Sequence, residues 1–81
     1  MSDDYVPIDC EQYCRYEVAI LHRQWLRIAW HHHDGLSHLE TLLPLNLNTR
    51  NHAEYLLARN GRGKLFEFRL DRVIRVTRWR T

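Results

Sequence analysis

The sequence predicts an α+β fold, mainly β, with one N-terminal helix capping a small barrel or strongly bent sheet of about five short antiparallel strands. Three observations predict it. A helix start signal stands near residue 10, followed by apolar residues at helical spacing. From residue 26 onward apolar residues tend to alternate with polar ones, the period of a half-buried strand. Asp34-Gly35 and Asn60-Gly61-Arg62-Gly63 then cut the alternating stretches into short runs, as turns between antiparallel strands do.

Residues 1–8 read as an extended lead, because Pro7 fixes its own φ and disfavours the helical region for Val6. Asp9 is a good helix N-cap, with Gln12 three positions on as its capping-box partner. The helix is expected from about Cys10 to Leu21. Tyr13, Tyr16 and Ile20 form its apolar stripe, Cys10 extends the stripe backwards, and Glu11 favours the first turn. Leu26, Ile28 and Trp30 mark a first strand. A second is expected over Leu36–Leu43, stopping at Pro44, because proline cannot donate to a ladder. Residues 44–52 read as a loop. Further strands are expected at Glu54–Arg59, Lys64–Leu70 and Arg72–Trp79, with Leu26, Ile28, Phe66, Phe68, Leu70, Ile74 and Val76 in the core.

Eighty-one residues, 44% of them hydrophobic, suit one domain over residues 1–81 with one modest core. Such a core leaves little room for an enclosed active site. No apolar run is long enough to cross a membrane, and the polar, acidic start Met1-Ser2-Asp3-Asp4-Tyr5 lacks the features of a secretory signal. A cytoplasmic, monomeric protein is expected. In that reducing setting Cys10 and Cys14, the only two cysteines, read as free thiols.

The net charge of +2 is unevenly spread. Residues 1–17 hold Asp3, Asp4, Asp9, Glu11 and Glu17 against Arg15. Residues 59–81 hold seven arginines and Lys64 against Glu67 and Asp71. The chain can therefore present faces of opposite sign. Arg69, Arg72, Arg75, Arg78 and Trp79 make a candidate nucleic-acid stripe, with cations for phosphates and a ring for stacking.

No nucleophile elbow, zinc-protease helix or phosphate-binding loop is present, and no serine or threonine stands in a recognisable relation to a histidine and a carboxylate. No enzyme is expected, and no cofactor. The run His31-His32-His33, with His38 nearby, raises the question of a metal. Neighbouring strand residues face opposite ways, so only His31 and His33 could share one ion, and no carboxylate or thiolate stands at a matching spacing. No metal site is expected there.

The segment Tyr5-Val6-Pro7-Ile8-Asp9-Cys10, followed by Tyr13, Glu17 and Ala19, resembles the opening signature of the Rho-binding antiterminator family (Rof, or YaeO). The likeness continues at Asp34-Gly35, at Glu54-Tyr55-Leu56 and at Arg69-Leu70-Asp71-Arg72-Val73-Ile74. It departs at Cys14 and Arg15 and in the basic C-terminal part. The resemblance implies an Sm-like barrel of five to seven strands behind an N-terminal helix. It also implies binding to the RNA-binding region of the transcription termination factor Rho, and so inhibition of Rho-dependent termination. Carried over to this chain, the Rho contacts would be Asp3, Asp4, Asp9, Glu11, Tyr13, Cys14 and Glu17. The alternative is an Sm-like module that binds RNA through the basic C-terminal strand.

Overall fold

The computed structural model describes residues 5–32 and 34–79. Helix α1 (Cys10–His22) is followed by β1 (Leu26–His31), β2 (Ser37–Arg50), β3 (Ala53–Arg59), β4 (Leu65–Arg69), a single 3-10 turn (Leu70–Arg72) and β5 (Val73–Arg78). The strands form one antiparallel sheet in the order β4-β3-β2-β1-β5. Its five strands agree with the expectation, but no ladder closes it between β4 and β5 among the described residues.

The helix starts where the capping residue places it. The Gln12 N–H donates to Asp9 Oδ1 at 2.8 Å, while the Gln12 side chain turns to the Tyr16 hydroxyl instead of returning to the cap. Arg23 ends the helix in the left-handed region, at φ 53° and ψ 46°. Tyr16 and Ala19 are buried against the sheet, with Tyr13 and Ile20 at their flanks. Cys10 is exposed and does not belong to the stripe, because it lies on the arc that faces away from the sheet.

Two expectations about strands are overturned. Pro44 does not end β2. The strand runs on to Arg50, and its first half pairs with β1 while its second half pairs with β3. Proline is tolerated because it sits where one ladder hands over to the other, next to an irregularity that leaves Leu45 unpaired. The supposed loop is therefore strand, closed by a two-residue turn in which Asn51 (φ 52°) and His52 (φ 62°) both take left-handed geometry.

Ile74 is not core either: it is 51% exposed. Val76 opposes Ile28 and Val73 opposes Trp30, so Ile74 is the extra residue of a bulge. The bulge turns Val73 and Val76 inward, and each is partly buried.

The core is Tyr16, Ala19, Leu26, Ile28, Trp30, Leu42, Leu56, Ala58, Phe68 and Leu70. Phe66 packs against it from the edge. Trp30 stacks on Phe68 at 4.6 Å between centroids and meets Phe66 edge-on at 5.7 Å. At the far end, Val6 N–H and Arg69 both donate to Asp71, tying the lead segment to the 3-10 turn.

Candidate nucleic-acid interface

The five residues of the expected basic stripe do not share one face. Arg69 is held in a two-pronged pair with Asp71, Nε to Oδ1 at 2.9 Å and Nη2 to Oδ2 at 2.8 Å. Both side chains are mostly covered, so this pair supports the fold. Burial opposes ionisation of Asp71, yet the bonds from Arg69 and Val6 outweigh it and hold the carboxyl below the usual range. Arg78 lies on the opposite side of β5, in a groove with Glu11, Cys14, Arg15 and His22 of the helix.

Arg72, Arg75 and Trp79 do belong to a common surface, together with residues the sequence did not single out. Because Leu26, Ile28 and Trp30 point inward, Arg27, Ala29 and His31 point outward. The β1–β5 register sets Thr77 opposite Arg27, and Arg75 opposite Ala29. On the other flank Thr41 pairs with Arg27, Leu39 with Ala29 and Ser37 with His31. No carboxylate occupies this outward set. Arg27 donates to Thr41 Oγ1 at 3.2 Å, and its guanidinium lies 5.5 Å from the centre of the Trp79 ring. Backbone bonds to Trp25 O and from the Gln24 side chain anchor Trp79 at the end of β5.

At its His31 end this strip meets a cleft of about 230 Å³ lined by Trp30, His31, His32, Tyr55, Glu67, Phe68, Arg69 and Arg72. The Arg50 guanidinium packs 3.9 Å from the Tyr55 ring centre and clamps Glu67 at 2.6 Å. That bond holds the Glu67 carboxyl below its ordinary range and takes up its charge. The strip gives cations and an imidazole over the four-residue rise from Arg27 to His31, about 13 Å, and the cleft continues it past His31.

The residues carried over as Rho contacts are dispersed. Asp3 and Asp4 lie outside the described residues, as does His33. Asp9 is spent on the helix cap. Tyr13 packs on the core, and burial followed by nearby Glu54 raises its pKa. Glu11 and Cys14 face the groove beside Arg15. Glu17 is exposed, six residues on from Glu11, so it projects about 120° away around the helix axis. The helix therefore carries no single acidic face.

A helix packed on a five-stranded antiparallel sheet, with a basic strip along one edge, makes this a small, mainly β domain. The chain belongs to the WYL domain family, whose model matches residues 15–78. The match begins after the 5–10 segment that carries the most specific part of the resemblance to the Rof family. The fold is similar to part of proteasome accessory factor B/C (PafBC) of Arthrobacter aurescens, with a TM-score of 0.73 and 22% identity over 89% of this chain. The chain spans only 12% of that protein's length. No curated protein matches it. No helix among the described residues is long and apolar enough to cross a membrane.

Proposed function

We propose that this WYL domain is a non-catalytic regulatory module, acting in the cytoplasm as a monomer, that binds single-stranded nucleic acid along the β1–β5 strip and into the adjoining cleft. One observation carries the reading: Arg27, Arg75, His31 and Arg72 follow one another on a surface that has Trp79 at one end and Tyr55 at the other, with no carboxylate on the outward positions of its β1–β5 part and with Glu67, in the cleft, paired to Arg50. Cations at that spacing meet phosphates, and an exposed ring such as that of Trp79 stacks on a base without needing a sequence. A rise of about 13 Å suits roughly three or four stacked nucleotides at about 3.4 Å each. The strand order and the change of partner along β2 support reading the sheet as an Sm-like one.

The test is fluorescence anisotropy with labelled RNA and DNA oligonucleotides over a salt series. Arg72→Gln and Arg75→Gln should each weaken binding and flatten the plot of log affinity against log salt by about 0.7 per lost phosphate contact. Unchanged affinity and slope in both variants would remove the strip from consideration.

A second reading is the one the Rof resemblance implies, docking on Rho through α1. Glu11 and Glu17 favour it, since both are exposed and form no ion pair among the described residues. A pull-down against Rho separates the two. Glu11→Lys with Glu17→Lys should leave nucleic-acid binding at least as strong, and abolition of Rho capture by that pair would support the second reading.

A further inference from the structure

His32, Asp34 and His38 converge across the β1–β2 hairpin, their ligand atoms all within 4.8 Å of one another. Asp34 Oδ2 lies 3.3 Å from His32 Nδ1 and 4.0 Å from His38 Nε2. Two ligands of one tetrahedral zinc ion stand about 3.4 Å apart, given bonds of about 2.0–2.1 Å. The three donors are thus near the spacing a single ion requires.

The local backbone fixes this arrangement. His32 N–H donates to Leu36 O at 2.8 Å, and Gly35 N–H returns to His32 O at 2.9 Å. Gly35 supplies the positive φ of 86° that the turn needs. Asp34 Oδ1 accepts from Leu36 N–H at 2.9 Å, which leaves Oδ2 turned toward the imidazoles. Asp34 N–H approaches His32 Nδ1 at 3.4 Å, as toward a lone pair.

His38 supplies a second, independent observation. Its ring stacks on Trp30 at 5.6 Å, with 19° between the planes, so its orientation is set by the core. Its Nε2 atom is shut off from solvent and has no hydrogen-bond partner. A polar ring nitrogen in that position costs stability unless something fills its coordination.

We propose that His32, Asp34 and His38 form a binding site for a divalent transition metal of borderline softness, with zinc as the reference ion. Two imidazoles and one carboxylate are the donor set such ions take, and three protein ligands leave a position for water or an anion. His32 also lines the cleft with Arg72, so the ion would sit at the cleft's rim and add positive charge there. The spacing argument from the sequence missed the set because it paired residues along one strand, whereas these three meet across a turn.

Isothermal titration of the whole chain with zinc alone is the test, with cobalt as a visible-absorption probe of coordination. Wild type should bind one equivalent, with cobalt bands of low-coordinate nitrogen and oxygen ligation. Asp34→Asn keeps an acceptor for Leu36 N–H and should fold, yet bind zinc at least tenfold more weakly. His38→Gln should do the same. Cys10→Ser with Cys14→Ser should bind as wild type, since that exposed thiol pair is the competing site. Wild-type affinity in both Asp34→Asn and His38→Gln, loss of binding in the cysteine pair variant, or no binding by the wild type would each overturn the proposal.

Discussion

Replacing Asp71 by Asn should unlock the end of the fold where the lead segment, β4 and the 3-10 turn meet. Asp71 accepts three bonds, two from Arg69 and one from Val6 N–H at 3.0 Å. Its side chain is 8% exposed and that of Arg69 14%. Removing one partner of so well covered a pair strands the other charge, at a cost of about 3 kcal/mol, the low end for buried pairs because Arg69 keeps some contact with water. In a domain of this size that corresponds to a fall in Tm of roughly 12–24 °C. The loss should depend on pH. The folded state holds Asp71 below its unfolded pKa of about 3.9, so its contribution is complete above that pH and is lost as pH falls through the lower folded value. Thermal melts of wild type and variant followed by circular dichroism, at pH 7 and then stepwise down to acid, provide the measurement. The gap in Tm should be full at pH 7 and close at the acid end. A gap below about 3 °C at neutral pH, less than 1 kcal/mol on the same scale, or one that does not change with pH, would refute the assignment of Asp71 as an ionised, load-sharing acceptor.

Other outcomes follow from the same packing. Trp30→Ala, which empties the space between Phe68 and His38, should cost about 3–5 kcal/mol and leave little folded protein in a urea titration. Ile74→Thr should shift the urea midpoint hardly at all, within about 0.5 kcal/mol, because the bulge puts that side chain in water. Gly63→Ala, at φ 86° but with open space around the site, should cost about 1 kcal/mol through backbone strain alone, whereas Gly61→Ala should be near neutral by the same melt. Arg50→Ala should cost less than about 1 kcal/mol, since its pair with Glu67 is half in solvent.

The helix was legible because its determinants are local: Asp9 caps it, and Tyr13, Tyr16 and Ile20 recur at its period. The hairpins at Asp34-Gly35 and Asn60–Gly63 were legible for the same reason, since turn residues act within four positions. Pro44 misled because its cost depends on whether the ladder needs an N–H donor at that position, and only the sheet decides that β2 changes partners there. Ile74 misled because a bulge shifts the period of alternation by one, and the bulge is set by β1. The candidate interface shows the same division. Arg75 and Trp79 could be picked out as exposed basic and aromatic residues, but their neighbour Arg27 lies about fifty positions away in the chain and joins them only through register. The acidic residues near the N-terminus looked like one face in a linear count, and helical geometry separates them.

The handover at β2 also sets which ladders are local and which are not. The β1–β2 and β2–β3 ladders join segments adjacent in sequence, so each closes a short loop. The β1–β5 ladder joins Leu26 to Arg78, 52 positions apart. Closing a loop costs more entropy the longer it is, so β5 is the strand most dependent on what has already formed. Arg75 and Trp79 ride on that strand. The basic strip is therefore the part of the surface that depends most on the whole sheet, and a chain with its hairpins made but its last edge still loose would not present it.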